Sequence, residues 1–373
     1  MFLSILSFIV FISILVLVHE LGHFIAARRA GIWVEEFGFG IPPRIFGIKR
    51  GGTIYSINLF PFGGFVRLHG EDDEGKIKKP MEAFINKSWG TRFLIVIAGV
   101  IMNVVLAILA FSVVYTVIGI PRPVETGEVR IIEIVPGSPA ENFGLKVGDV
   151  VKKVGETQVF VSGNLSGEVN KYKGEEVLLT IVRDNTESEV LVVPNKETGV
   201  GEGALGVGIT STRIESHFPP LWQRPFYGVW YGLKEAFFWG SVIVLGLFQM
   251  IWHLFQGRVP TDIVGPTGLY AVTTEVSKQG IIAVVNWMGI ISINLAVLNI
   301  MPFPALDGGR AAFLLLEKAF GKKVRPKIEG WFHMVGLVLL ISLIAAITFR
   351  EVRMISQLGL SGYISAITGG QGI

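Results

Sequence analysis

Cysteine is missing from all 373 residues, which excludes disulfides, thiol nucleophiles and thiolate metal ligands. Any metal centre must be built from imidazole and carboxylate groups, and only six histidines are available. Charge is scarce too: Asp, Glu, Lys and Arg together make up 17%, and the formal net charge is only +3. No basic stretch is interleaved with aromatics, so no nucleic-acid partner is expected. Internal repeats and low-complexity tracts are also lacking. Apolar residues take their place. Half of the chain is hydrophobic and the mean hydropathy is +0.56, which marks an integral membrane protein.

Four runs approach the ~20 apolar residues that a bilayer requires: 2–27, 93–119, 281–301 and 331–349. The first has no basic segment before it and carries two histidines where a cleavage site would fall. It is therefore expected to be a retained span, not a signal peptide. Basic residues flank the runs unevenly: Arg28 and Arg29 after the first, Lys76, Lys78, Lys79, Lys87 and Arg92 before the second. Lys318, Lys322, Lys323, Arg325 and Lys327 precede the fourth. The positive-inside rule then sends the first span inward and the second outward, placing 121–212 outside. The third span returns inward and the fourth exits.

A further run at 237–255 is apolar enough to cross. A complete crossing there would put Asp307 on the opposite membrane face from His19 and His23. The segment 222–256 is therefore expected to form helices lying on, or partly dipping into, the outer leaflet. Its aromatics, among them Trp222, Phe226, Trp230 and Trp239, suit an interface.

The chain accordingly divides into 1–120 and 266–373, two halves of a membrane core, with an external domain at 121–212 and interfacial helices at 213–265. Within the first half, 33–70 is too glycine-rich and polar to cross. Gly51-Gly52 signals a hairpin, and a β-prone piece follows at 53–58. Non-helical backbone at membrane depth must be covered by protein or line a wet cavity, so this segment is expected to be a re-entrant β-hairpin. The external segment predicts a compact β-rich domain, with strands at 129–135, 177–183, 189–193 and 205–209 and a short helix at 140–145.

The chemistry is concentrated at His19-Glu20-Leu21-Gly22-His23, inside the first span. Residues four apart share a helix face, so both imidazoles can reach one cation. Glu20 lies about 100° round the helix, close enough to act on a water at that cation. The pattern is the H-E-x-x-H signature of zinc proteases, and ionisable groups in an apolar span are costly unless they serve a function. A catalytic zinc takes three protein ligands, so one is missing. Asp307 is the candidate: it follows the third span, Pro302 and Pro304 free the backbone around it, and it lies on the cytoplasmic side with the histidines. The competing reading is that Asp307 merely caps the following helix. Asn103, Asn294 and Asn299 are amides within spans, for which interhelical bonding is the default. Asn299, just upstream of Asp307, is the one favoured for holding a substrate carbonyl or oxyanion. His69, His217, His253 and His333 receive no ligand role.

Several of these segments together resemble one known group. They are 19–23, the glycine-rich 37–66, Gly99 to Asn103, and Asn299 through Leu306-Asp307-Gly308. The chain resembles the site-2-type intramembrane metalloproteases, specifically the bacterial regulator of sigma E protease branch. The stretch 136–151 resembles a bacterial PDZ domain. The resemblance implies zinc held by His19, His23 and Asp307, with Glu20 as general base. It also implies that Asn294 and Asn299 hold the substrate backbone. The implied architecture is a multi-span α-helical membrane protein of four transmembrane helices, with a membrane re-entrant β-hairpin and one extracytoplasmic PDZ-like domain. Many relatives carry two such domains in tandem. The implied location is the bacterial inner (cytoplasmic) membrane. The implied partners are membrane lipid and transmembrane segments of single-span proteins, such as pre-trimmed anti-sigma factors or leftover signal peptides. A non-catalytic PDZ-bearing scaffold, or a metal or ion transporter, would use the same buried residues differently.

Overall fold

The computed structural model describes residues 2–71, 77–197, 203–257, 264–321 and 326–367. Lys76, Lys322, Lys323 and Arg325, used in the topology argument, lie outside the described residues. The chain forms two compact units, one of 1–118 with 220–373 and one of 119–219. In order the elements are α1 (Phe2–Arg29), β1 (Val34–Arg50), β2 (Thr53–Leu68) and α2 (Trp89–Ile118). The second unit follows with β3 (Ile120–Ile134), α3 (Pro139–Asn142), β4 (Val150–Val154), β5 (Thr157–Gln158), α4 (Ser162–Val169), β6 (Val177–Arg183), β7 (Thr186–Val192) and β8 (Val207–His217). The first unit resumes with α5 (Arg224–Phe255), α6 (Pro266–Lys278), α7 (Ile281–Ile300), α8 (Asp307–Phe320) and α9 (Pro326–Ile367).

Five helices among the described residues are long and apolar enough to cross a membrane: Ser4–Arg29, Trp89–Ile118, Arg224–Phe255, Ile281–Ile300 and Ile328–Gly359. This is a multi-span membrane protein. Its centre is α2, which α1, α5 and α7 approach through glycines. A β-carbon on Gly22 would lie 2.3 Å from the Ala98 carbonyl oxygen, and one on Gly289 2.7 Å from the Phe111 ring. Small residues at helix contacts let backbones close up where lipid gives no hydrophobic drive for association. Phe111, fully buried, packs there with Ala107, Ala236 and Ile293.

Where the sequence predicts several helices lying on or partly dipping into the outer leaflet, residues 224–255 make one helix of 32 residues, antiparallel to α2. Gly228 faces Thr116 and Ser112, Gly232 faces Ser112 and Ile108, and Ala236 joins Ala107. Tyr115 Oη donates to Glu235 Oε2 at 2.8 Å, and Trp239 Nε1 to Oε1 at 3.0 Å. The helix therefore packs lengthwise on α2, and by length and composition it can cross a membrane. The physical reason is the small-residue stripe at 228, 232 and 236, a signal masked in the sequence by the many aromatics around it. α7 also runs antiparallel to α2, with Gly289 beside Phe111 and Ser292 Oγ donating to the Asn103 carbonyl at 2.8 Å. Both α5 and α7 thus begin near the end of the helix core where α2 finishes.

Within 33–70 the chain forms one long hairpin, of which 53–58 is the start of the second strand. β1 and β2 pair antiparallel from Val34↔Leu68 to Arg50↔Thr53, around Gly51 (φ +57°) and Gly52 (φ +86°). Two left-handed residues are what a tight hairpin turn demands. The strands bend midway, so that Phe37 has partners on both sides, Val66 and Tyr55. β2 lies along α1: Ser13 Oγ donates to the Pro61 carbonyl at 3.2 Å, and Gly64 faces Glu20 and Leu17.

In the second unit the sheet runs β7-β6-β4-β3-β8, with β5 on β4, over a core that includes Val129, Ile131, Leu165, Leu179 and Ile181. Asp149 is 1% exposed and accepts two hydrogen bonds from Arg183, both at 2.7 Å. Burial pushes its carboxyl up, but the Arg183 bonds and the Lys146 N–H outweigh this and hold it below the usual range. Its stabilising effect is therefore complete above the unfolded-state value near ~4 and is lost as pH falls through the lower folded value. Asp149→Ala is expected to cost about 2–4 kcal/mol at neutral pH. Faster hydrogen exchange of β4 and β6 amides in the full-length protein would register it, with the difference shrinking in acid.

Candidate metal centre

α1 places His19 and His23 one turn apart, with Nε2 atoms 3.3 Å from each other. Asp307, the first residue of α8, brings Oδ2 to 2.9 Å from His19 Nε2 and 3.2 Å from His23 Nε2. It is not a helix cap: the residue in that position is Leu306, and no side chain bonds the first turn. These three residues form the one His, Asp and Glu cluster among the described residues that could hold an ion.

The outer nitrogens of both rings are engaged. His23 Nδ1 donates to the Ile95 carbonyl at 2.8 Å, leaving a lone pair on Nε2. His19 Nδ1 lies 3.2 Å from the Asn103 side-chain amide, whose buried Oδ1 otherwise lacks a partner. With Nδ2 donating to Nδ1 the His19 proton sits on Nε2; with the amide turned, Oδ1 accepts from Nδ1–H and the Nε2 lone pair faces inward, as a metal ligand requires. Asp307 Oδ2 is itself buried without a hydrogen-bond donor. His19 Nε2, His23 Nε2 and Asp307 Oδ2 thus converge within 2.9–3.3 Å of one another. A protonated imidazole pairs with the carboxylate there, and with both Nε2 lone pairs free the same three atoms can bind a cation. Zinc bonds of about 2.0–2.1 Å in tetrahedral geometry separate ligand atoms by about 3.3 Å, so the triangle fits zinc.

Two cavities flank the triangle. One of ≈210 Å³ is lined by Glu20, His23, Glu71, Asp307 and Arg310, with Arg310 paired to Glu71 in its wall. The other, of ≈250 Å³, is lined by His19, Glu20, Asn103, Leu295 and Asn299. Glu20 borders both. Asn299 shares the second cavity with Glu20, whereas Asn294, five residues earlier on α7, lines neither.

From sequence, Asn103 carries only an interhelical bonding role, and Gly99 only a small-residue spacing four residues before it. The structure sets Asn103 behind His19, and Gly99 between the rings. A β-carbon on Gly99 would lie 2.4 Å from His23 Nε2 and 2.7 Å from His19 Nε2. The available signal was their four-residue spacing on one face of a span. Gly99→Ala is expected to push the imidazoles apart and weaken zinc binding by about 10–100-fold, as measured by chelator competition.

Fold and site together define a membrane metalloprotease of the two-histidine, one-carboxylate kind. Comparison with known proteins agrees. The model of Peptidase family M50 matches residues 7–343, so the chain belongs to that family. Zinc metalloprotease RasP of Oceanobacillus iheyensis is 28% identical over 430 residues, covering 94% of this chain and 99% of the relative. RasP of Geobacillus kaustophilus is 29% identical over 430 residues, with 94% and 98% covered. A relative from Clostridium acetobutylicum is 34% identical over 351 residues, with 94% and 98% covered.

Proposed function

We propose that the protein is an intramembrane zinc endopeptidase that cuts transmembrane segments of single-span membrane proteins. The observation that carries this is the triangle of His19, His23 and Asp307 ligand atoms with Glu20 beside it, embedded among apolar helices. When bound there, zinc supplies Lewis acidity to the scissile carbonyl and makes water easier to deprotonate. The Glu20 carboxylate takes the proton from the attacking water and hands it to the departing amide nitrogen. Asn299 donates its side-chain amide to a substrate carbonyl in the shared cavity, and Asn294 acts from the same helix on the substrate backbone. A helical substrate hides its carbonyls, so it must unwind first. The β2 edge beside Glu20 offers a strand partner to the extended chain.

The topology reading has four net crossings. Supporting it, α5 and α7 both run antiparallel to α2, so α5 adds no net passage. Arg28 and Arg29 at the end of α1, and Lys87 and Arg92 at the start of α2, mark the cytoplasmic face of the bacterial inner membrane. The unit 119–219 is then external and is read as a single PDZ-like domain that screens substrates already shortened by another protease. Anti-sigma factors and remnant signal peptides fit that requirement.

The test is incubation of the full-length enzyme in lipid vesicles with a model single-span protein, followed by mass mapping of the products. Cleavage within the apolar segment, abolished by a zinc chelator and restored by added zinc, is expected. A non-catalytic scaffold would bind the substrate and leave it intact with or without the metal.

A further inference from the structure

Asp307 is reached through a short loop, and that loop is held in an unfavourable backbone state. Ala305, two residues before the carboxylate, has φ of +71°, the left-handed region that residues with a β-carbon seldom occupy. Its N–H is donated to His333 Nδ1 at 2.9 Å. His333 comes from the start of α9, and the loop is pressed against that helix. A β-carbon on Gly336 would lie 1.9 Å from Pro304 Cβ. On the other side, one on Gly309 would meet the Phe303 carbonyl oxygen at 2.4 Å and His333 Cε1 at 3.2 Å. Phe313 of α8 and Phe332 of α9 meet edge-on at 5.0 Å, closing the contact.

His333 supplies no atom to the metal triangle. We propose that it is a positioning residue for the metal ligand, one that acts by holding Ala305 left-handed. Were Ala305 to relax to negative φ, the chain would enter α8 in another direction and Asp307 Oδ2 would leave its place opposite the two Nε2 atoms. The metal bond is about 2 Å, so a displacement of a fraction of that length is enough to lose a ligand. Because His333 Nδ1 accepts the Ala305 N–H, its proton sits on Nε2 and the ring is neutral. The inference rests on Asp307 being a zinc ligand, and the experiment separates the two claims.

Zinc dissociation constants are measured by chelator competition on the folded full-length protein, with Asp307→Ala as reference. His333→Ala is expected to weaken binding about tenfold. His333→Asn, which offers an amide oxygen in place of Nδ1, should stay within about threefold of the parent. Adding Ala305→Gly to His333→Ala should restore affinity to a similar level, since glycine adopts positive φ without help. A merely structural role for His333 would not be repaired by a glycine two residues from the carboxylate. Parental affinity in His333→Ala, or no recovery in the double variant, overturns the proposal. If His333→Ala does not fold, His333→Asn decides: near-parental affinity supports the proposal and a tenfold loss overturns it. Parental affinity in Asp307→Ala would instead show that the ligand assignment itself is wrong.

Discussion

Glu20→Gln is expected to bind zinc at the parental stoichiometry and to cleave a single-span substrate about 10²–10⁴-fold more slowly. The amide has the shape of the carboxylate and leaves His19, His23 and Asp307 undisturbed, so the metal site survives. It cannot accept a proton from water, so the step Glu20 serves is lost. The loss should fall on kcat, because Glu20 acts on the reacting water and not on the substrate backbone. Zinc analysis and single-turnover cleavage on one preparation decide the matter. Cleavage at the parental rate would remove Glu20 as base and point to another group in the two cavities it borders.

Asp307→Ala is expected to abolish both zinc retention and cleavage. It removes one of three ligand atoms spaced 2.9–3.3 Å apart and leaves two imidazoles, too few for a catalytic zinc. The affinity loss should exceed the roughly 10–100-fold typical of outer-shell partners. In that respect Asp307→Ala and Glu20→Gln form a pair. One loses metal and activity together, the other activity alone. A scaffold would keep its binding partners in both. A transporter would lose metal flux with Asp307→Ala and show no cleavage in the parent.

Much of this site can be read without coordinates because its first half is local. His19, Glu20 and His23 lie within two turns of one helix, and helical periodicity alone places the two imidazoles together. Gly51-Gly52 likewise announces the hairpin, because few sequences other than glycine satisfy two successive positive φ values. In the second unit, 177–183 matches β6, since a short run of β-prone residues is also a local property. Asp307 is a different case. Its type and its place just after an apolar run are legible, but a carboxylate before a helix is more often a cap. Only the contact with both Nε2 atoms, at 2.9 and 3.2 Å, separates the readings.

The remaining features depend on residues distant in the chain. The course of α5 was hidden because its glycine stripe matters only with Ser112 and Thr116 facing it. Gly99 and Asn103 gain their significance from α1 lying across them, and His333 from α9 backing the loop before Asp307. By itself the sequence determined that this is a cysteine-free membrane protein with a helix-borne pair of imidazoles and an adjacent carboxylate. Composition and helical repeat act over a few turns and need no partner. The tertiary structure alone decided which oxygen completes the triangle, which glycine leaves room for it and which carbonyl and side-chain amide hold its imidazoles. Those choices come from close packing between elements, and no local rule encodes them.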